Sequence, residues 1–397
     1  MLTIDNVYRA YNTLKGVVRK TDVIYAPKLS VGADLYLKTE NLQNTGSFKL
    51  RGAYYKMTKL TDEEKARGVV ACSAGNHAQG VALAAKKNGI KAVICLPDGA
   101  PISKVEATKS YGAEVCLVEG VYDDAYNHAL KLRDEEGYTF IHPFDDEDVI
   151  AGQGTIALEL MEQLPELDAV IVPIGGGGLI SGIAYTIKTI NPKVKVYGVQ
   201  ASGAPSMKKS VDDGKIEELS SVSTIADGIA VKKPGENTFA LCQKYVDEIV
   251  TVTDDEISAA ILALMEKHKL VTEGAGAVSV AAAMFHKVPV EGKKVACVLS
   301  GGNIDVTILS RVIKRGLLMS GRSCQLMIEL MDKPGQLKNV SRIIADLGGN
   351  VTSVHHERAN EGSDVNGCYL RIILETRNYE HIAEIKKALT DYGFKLL

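Results

Sequence analysis

Between about residues 33 and 310, short β-rich runs alternate with longer helical ones, and this alternation restricts the fold more than any other feature of the chain. Strand-like runs fall at 34–38, 69–73, 92–96, 114–118, 169–174, 194–199, 249–253 and 294–299. Helical stretches lie among them at 49–59, 77–87, 104–111, 122–136, 154–163, 179–189, 254–268 and 276–285. Strand–helix–strand repetition predicts an α/β fold with mainly parallel sheet. Several runs are near-continuous Val, Ile, Ala and Cys, as strands covered on both faces should be. So many strands predict two lobes rather than one sheet.

The pattern changes after 311–323, which mixes Arg, Gly and Ser and reads as a linker. A strand at 325–330 then leads through the turn Asp332, Lys333, Pro334, Gly335 into a helix with Leu337, Val340, Ile344 and Leu347 on one face. Gly348 and Gly349 end that helix. Strands at 351–357 and 368–375, a helix carrying Ile382, Ile385 and Leu389, and a short strand at 394–397 follow. This β-α-β-β-α-β order in about 73 residues is the ferredoxin-like unit. The expected organisation is a first domain over 1–317, a linker over 318–323 and a small domain over 324–397.

Composition narrows the class. A chain of 397 residues is long enough for two or three domains. With 46 Lys and Arg against 49 Asp and Glu, no net positive charge recruits nucleic acid or an anionic membrane. The most apolar run, 169–184, contains five glycines and falls short of the roughly 18 residues a membrane helix needs. The first 20 residues alternate polar and apolar, unlike a signal peptide. Seven cysteines, none spaced C-x-x-C and most within strand-like runs, argue against a disulfide framework or structural zinc; the expected setting is a reducing cytoplasm.

Three strand-like runs end in small-residue turns that open helices: Ser73, Ala74, Gly75, Asn76 and His77; Gly175, Gly176, Gly177, Gly178 and Leu179; and Ser300, Gly301, Gly302 and Asn303. Ligands of open α/β sheets bind outside the carboxyl ends of strands, so three such turns predict one convergent site. The four consecutive glycines let backbone N–H groups close around a phosphate, helped by the positive end of the following helix. The loop is neither a Walker loop nor a dinucleotide fingerprint, because no Gly-Lys-Ser/Thr follows and Ile180 holds the third glycine position. A tight, closely packed strand-to-helix turn is the plainer reading. Lys49 begins a helix, the wrong end for its charge, and by type alone is an ordinary surface lysine. Beside a phosphate cradle, a lysine is what a pyridoxal phosphate Schiff base requires. His77 is expected to order its turn, Asp145, Asp146, Glu147 and Asp148 to form a solvated loop, and His355 and His356, on opposite faces of one strand, to share no metal.

Ser-Phe-Lys-Leu-Arg-Gly-Ala (47–53), Ser-Ala-Gly-Asn-His-Ala-Gln-Gly (73–80), the tetraglycine loop and Ser-Gly-Gly-Asn (300–303) occur in the order and spacing of the threonine ammonia-lyases, or threonine dehydratases. These are fold type II pyridoxal phosphate enzymes related to serine dehydratase and serine racemase. The resemblance covers about 5–317 and implies a two-lobed, tryptophan synthase β-like catalytic domain. The last 73 residues resemble an ACT domain, an amino-acid-sensing module. The resemblance implies that Lys49 carries the Schiff base and acts as the base on Cα, with Phe48 beside the pyridine ring. It assigns Asn76 to the ring hydroxyl, Gly175, Gly176, Gly177, Gly178 and Leu179 to the phosphate, and Ser300 to the pyridine nitrogen. Ser73, Ala74, Gly75, Asn76 and His77 would receive the substrate carboxylate.

The implied activity is conversion of L-threonine to 2-oxobutanoate and ammonia, with L-serine to pyruvate as a side activity. Related racemases carry a serine where this chain has Ala74, and acidic metal ligands where it has Gln200 and Ser206, so neither racemisation nor a divalent metal is expected. A serine-preferring dehydratase or racemase and a non-catalytic amino-acid sensor are the rival readings. A branched-chain amino acid at Asp332, Lys333, Pro334 and Gly335 is the implied effector, and a homodimer or homotetramer the implied assembly, since an exposed edge strand tends to pair.

Overall fold

The computed structural model describes residues 2–29, 32–357 and 367–397, which fall into two compact units, Met1–Ile308 and Leu309–Leu397. The first unit contains β1 (Val23–Tyr25), β2 (Asp34–Lys38), β3 (Val69–Cys72), β4 (Ala92–Pro97), β5 (Glu114–Val118), β6 (Thr139–Phe140), β7 (Ala169–Pro173), β8 (Lys195–Ala201), β9 (Glu248–Val252) and β10 (Lys294–Val298). They form two sheets, in the orders β1-β2-β10-β7-β8-β9 and β5-β4-β3-β6. Among the described residues of these two sheets, only the β1–β2 pairing is antiparallel. Every residue of β3 and β7 is buried, because helices cover both faces of each sheet.

The helix Lys49–Thr58 packs against Asn76–Asn88 on one side and Glu147–Gln163 on the other, and so joins the cores of the two sheets. Its crossing with Glu147–Gln163 is a glycine contact. A Cβ on Gly152 would lie 2.6 Å from the Cα of Gly52, and one on Gly52 would lie 2.6 Å from the carbonyl oxygen of Val149. Backbones this close tolerate no side chain, which explains glycines that weaken the sequence pattern for the first two turns of Glu147–Gln163. That helix begins well before the expected 154.

The second unit contains β11 (Ser323–Met331), β12 (Asn350–Glu357), β13 (Gly367–Glu375) and β14 (Lys395–Leu396), paired antiparallel in the order β12-β13-β11-β14. The helices Gln336–Asp346 and Tyr379–Asp391 supply Val340, Ile344, Ile385 and Leu389 to its core. This is the expected ferredoxin-like order, and the α/β catalytic fold with a separate ACT unit stands as read from the sequence. Of the stretch 311–323 read as a linker, 311–319 is α-helical as part of Val306–Met319, with Val312 and Gly316 buried one turn apart and Arg311, Lys314 and Arg315 outward. Among the described residues no helix is long and apolar enough to cross a membrane.

Candidate active site

The turn before Lys49 is fastened to the end of β10. Phe48 N donates to Ser300 O (3.1 Å), Gly302 N donates to Gly46 O (2.9 Å), and Asn303 Nδ2 donates to Thr45 O (2.8 Å). Phe48 packs part-buried on the core of the larger sheet. Lys49 opens its helix without a side-chain cap. Its residue keeps some accessible surface, but the amine is enclosed, and desolvation lowers it to about 8 against the pull of the Glu273 carboxylate. Its Nζ donates to Pro143 O at 2.6 Å.

That carbonyl belongs to a locked turn. His142 Nδ1 accepts from the amides of Phe144 (3.2 Å) and Asp145 (2.7 Å), and burial keeps its imidazole below the ordinary range, hence neutral. Asp145 then accepts from Glu236 N and Thr238 N at 3.1 Å each, capping the helix Glu236–Tyr245. Thr238 Oγ1 donates to Gly176 O at 2.6 Å. A continuous chain of contacts thus runs from Lys49 through the 142–145 turn to the tetraglycine loop. Asp146 caps Glu147–Gln163 through the amides of Asp148 and Val149, and Lys56 pairs with both Asp146 and Asp148. The acidic run is therefore a structural corner, correcting the expectation of a solvated loop.

The glycine loop is hemmed in on its side-chain faces. A Cβ on Gly176 would strike the Phe144 ring, one on Gly177 would meet Met207 Cε at 2.6 Å, and one on Gly178 the Phe144 Cα at 2.9 Å. Gly177 has φ +99°, where other residues are strained, and caps the helix Gly178–Ile190. Close packing therefore requires these glycines, as the plainer reading held. Yet among the described residues no acceptor is recorded for the amides of Gly175, Gly176 and Gly177, and those of Gly178 and Leu179 lie in the first helical turn, where none is available within the helix. Unpartnered N–H groups at a helix N-terminus make an anion cradle, and with the enclosed lysine they fit a phosphate-bearing aldehyde.

The third turn meets the same place. Ser73 Oγ accepts from Gly75 N (3.1 Å); Ser73, Ala74, Gly75 and Asn76 are half-buried where the helix Asn76–Asn88 begins. His77 is buried, pushed down to about 3 by desolvation and then by Lys49, with Nε2 2.8 Å from Ile141 O. Asn76 is held at both ends: Oδ1 accepts from Asn303 Nδ2 (2.8 Å) and Nδ2 donates to Glu273 Oε1 (2.5 Å). Ser300 is buried and its hydroxyl donates to Ala275 O at 3.2 Å. Nearby, Gln200 Oε1 accepts from Lys208 N (2.8 Å), while the buried Ser206 hydroxyl has no partner among the described residues.

The motifs did not single out Glu273. Burial raises its carboxyl to about 7, reinforced by Asp227 and opposed by the Asn76 hydrogen bond. With Asn303 it borders a cavity of about 290 Å³, whose other walls include Pro101, Thr224 and the ion pair Lys104–Asp227 at 2.7 Å. An acid set among small residues just before a helix, Thr272-Glu273-Gly274-Ala275-Gly276, was its only sequence trace. The site thus combines an anion cradle, an amine near neutrality and a carboxyl near neutrality beside a small cavity.

Comparison with known proteins agrees. Residues 14–301 match the family model for pyridoxal-phosphate dependent enzymes, and 325–391 match the ACT domain. An L-threonine ammonia-lyase of Thermotoga maritima is 51% identical over 398 residues, 100% of this chain and 99% of its own. The processed form of threonine deaminase isoform 2 from Solanum lycopersicum superposes with a TM-score of 0.75 at 40% identity, over 79% of this chain and 89% of that one. Maize serine racemase gives 0.75 at 38%, over 80% and 98%.

Proposed function

The chain belongs to the pyridoxal-phosphate dependent enzyme family, and from that premise we propose that it is a threonine ammonia-lyase, converting L-threonine to 2-oxobutanoate and ammonia. The observation that carries this reading is the path from Lys49 through Pro143, Asp145 and Thr238 to Gly176, which fixes an enclosed amine relative to an anion cradle. Pyridoxal phosphate, when bound, supplies the electron sink that acidifies the substrate Cα and lets the β-hydroxyl depart.

The residues do the rest. The amides of Gly175, Gly176, Gly177, Gly178 and Leu179 hold the phosphate. An amine lowered to about 8 is partly neutral at physiological pH, so Lys49 Nζ can accept the Cα proton. Phe48 would flank the ring, and the second Nδ2 proton of Asn76, the first being given to Glu273, would be free for the ring hydroxyl. The turn from Ser73 to His77 takes the substrate carboxylate at the start of its helix. Neutral His77, tied to Ile141 O, orders that turn. Ser300 Oγ, which here donates to Ala275 O, would turn from it to donate to the ring nitrogen. A hydroxyl there supports little positive charge on the nitrogen, which suits rapid loss of the β-hydroxyl.

L-Serine to pyruvate is the expected side activity, since only a methyl group distinguishes the two substrates. Racemisation is the weaker reading. The methyl of Ala74 offers no proton on the opposite face, and the Gln200 amide is engaged with Lys208 N. At the second unit, Gly335 (φ +94°) caps the helix Gln336–Asp346 beside Pro334, leaving amides for the carboxylate of a branched-chain amino acid. Edge strand β12 offers a pairing surface for a homodimer or homotetramer.

The test is 2-oxo acid release from L-threonine, L-serine and their D-isomers, with and without isoleucine or valine, on the full chain and on a chain ending at Arg322. L-Threonine should be preferred, D-isomers inert, and the response to branched-chain amino acids confined to the full chain. A D-serine product exceeding pyruvate would replace the reading with the racemase, and equal responses in both chains would remove the effector from the ACT unit.

A further inference from the structure

Outside the active site, strand register gathers a set of soft ligands. Cys72, Cys95 and Cys116 are register partners on β3, β4 and β5, which run parallel, so the three side chains fall in one row on one face of the smaller sheet. The helix Tyr122–Glu136 lies over that face, with Ala125 and Ala129 fully buried against it. These alanines bring the helix close, and His128, on the same stripe, reaches down beside the last two cysteines. The ligand atoms of Cys95, Cys116 and His128 all lie within 4.8 Å of one another. No Cys-x-x-Cys spacing announces the group, because three separate elements contribute one ligand each.

We propose that Cys95, Cys116 and His128 form a binding site for a thiophilic divalent cation of the zinc class, with water as fourth ligand. Tetrahedral zinc has bond lengths of about 2.3 Å to sulfur and about 2.0 Å to nitrogen, which sets ligand separations near 3.5 Å. The ligand atoms, within 4.8 Å of one another, would have to close by about 1 Å at most to reach that separation. Binding of M²⁺ replaces the S–H bonds of the two thiols by metal–sulfur bonds, adds a metal–nitrogen bond to the imidazole, and releases the two thiol protons. Among the described residues His128 has no recorded hydrogen-bond or ion-pair partner, so its ring is not committed elsewhere. Cys95 is fully buried and Cys116 half-buried, which leaves an approach from the β5 side. β5 is an edge strand, and the cation would tie it to both its neighbour β4 and its covering helix.

The experiment is Co²⁺ titration of the full-length holoenzyme after chelator treatment and desalting, read by thiolate charge-transfer and tetrahedral ligand-field absorption. One equivalent per chain should bind and be displaced by Zn²⁺. Cys116→Ser and His128→Ala should each weaken Co²⁺ binding by more than about 100-fold, beyond what loss of an outer-shell partner costs. Both positions are only half-buried, and circular dichroism with turnover checks that the variants fold. Cys324→Ser should bind as the parent does. Absence of the bands in the parent, their survival in either site variant, or their loss on Cys368→Ser, which lies in a separate group with Asp332 and His356, would each overturn the assignment.

Discussion

Lys49 and Arg51 stand two residues apart on one helix, each with its charged end enclosed, and they are treated in opposite ways. Arg51 is saturated: its guanidinium reaches Glu40 (2.8 and 2.9 Å), Glu159 (2.6 and 2.9 Å) and Thr155 (3.1 Å). Lys38 completes the cluster by donating to Glu159 (2.6 Å), Gln163 (2.9 Å) and Thr21 O (2.7 Å). The carboxylates hold the Arg51 charge firmly in place despite its burial, and Arg51 in turn holds Glu40 below the ordinary carboxylate range. Lys49 receives one carbonyl and the distant pull of Glu273, so desolvation prevails and its amine falls to about 8. A buried charge with every hydrogen bond made is scaffold; one left under-partnered is poised to change protonation state.

The largest effect that would sharpen this contrast is on turnover. Lys49→Ala should lower threonine deamination by about 10⁴-fold or more, because it removes both the attachment point and the proton acceptor. Its melting temperature should hardly move, since the lost amine was poorly solvated and made one hydrogen bond. Turnover near the parent level, with cofactor present and no external amine, would break the distinction at its first member.

Arg51→Met tests the other side. Methionine keeps most of the volume but strands Glu40 and Glu159 beside a single Lys38. Breaking a buried pair this way costs about 3–5 kcal/mol. The denaturant midpoint should fall accordingly, while turnover per folded molecule stays within about tenfold of the parent, since Arg51 touches none of the three strand-end turns. Unchanged stability with lost activity would assign Arg51 to the chemistry instead.

How much of this was legible in the sequence follows from where the physics is local. β2 and β5 appear with their observed bounds because their residues alternate or run apolar between clear breaks. β1, three residues long and antiparallel at an edge, has no periodicity to read. The helix Ile4–Leu14 buries Val7, Ala10 and Leu14 at helical spacing, but Tyr8 and Tyr11 blur the stripe into apparent alternation. The three turns were visible as runs of small residues. Their convergence depends on Pro143, Asp145, Thr238 and Glu273, whose side chains or carbonyls matter only after distant segments meet. Asp145 and Asp146 show the limit: their types suggest solvent, and only the helix starts they cap reveal their work.

Glu273→Gln carries the smallest effect and bears on the partner that sets Lys49 apart. Glu273 has a folded-state value of about 7 against an ordinary 4.5, a raised acid. Its contribution to stability is therefore fully present below pH 4.5 and is lost as pH rises through about 7, where the buried carboxylate must ionise. Glutamine is spared that loss while still accepting from Asn76 Nδ2. On cofactor-free protein the two stabilities should coincide near pH 4.5, diverge through neutrality, and level off above it with the variant ahead by about 3 kcal/mol at most, at about 1.4 kcal/mol per pH unit. Urea midpoints for both proteins at a series of pH values measure the difference directly, and other titrating groups cancel in it. If the two curves run parallel, Glu273 titrates like an ordinary solvated carboxylate, and the near-neutral buried carboxyl that sets the surroundings of Lys49 apart is not there.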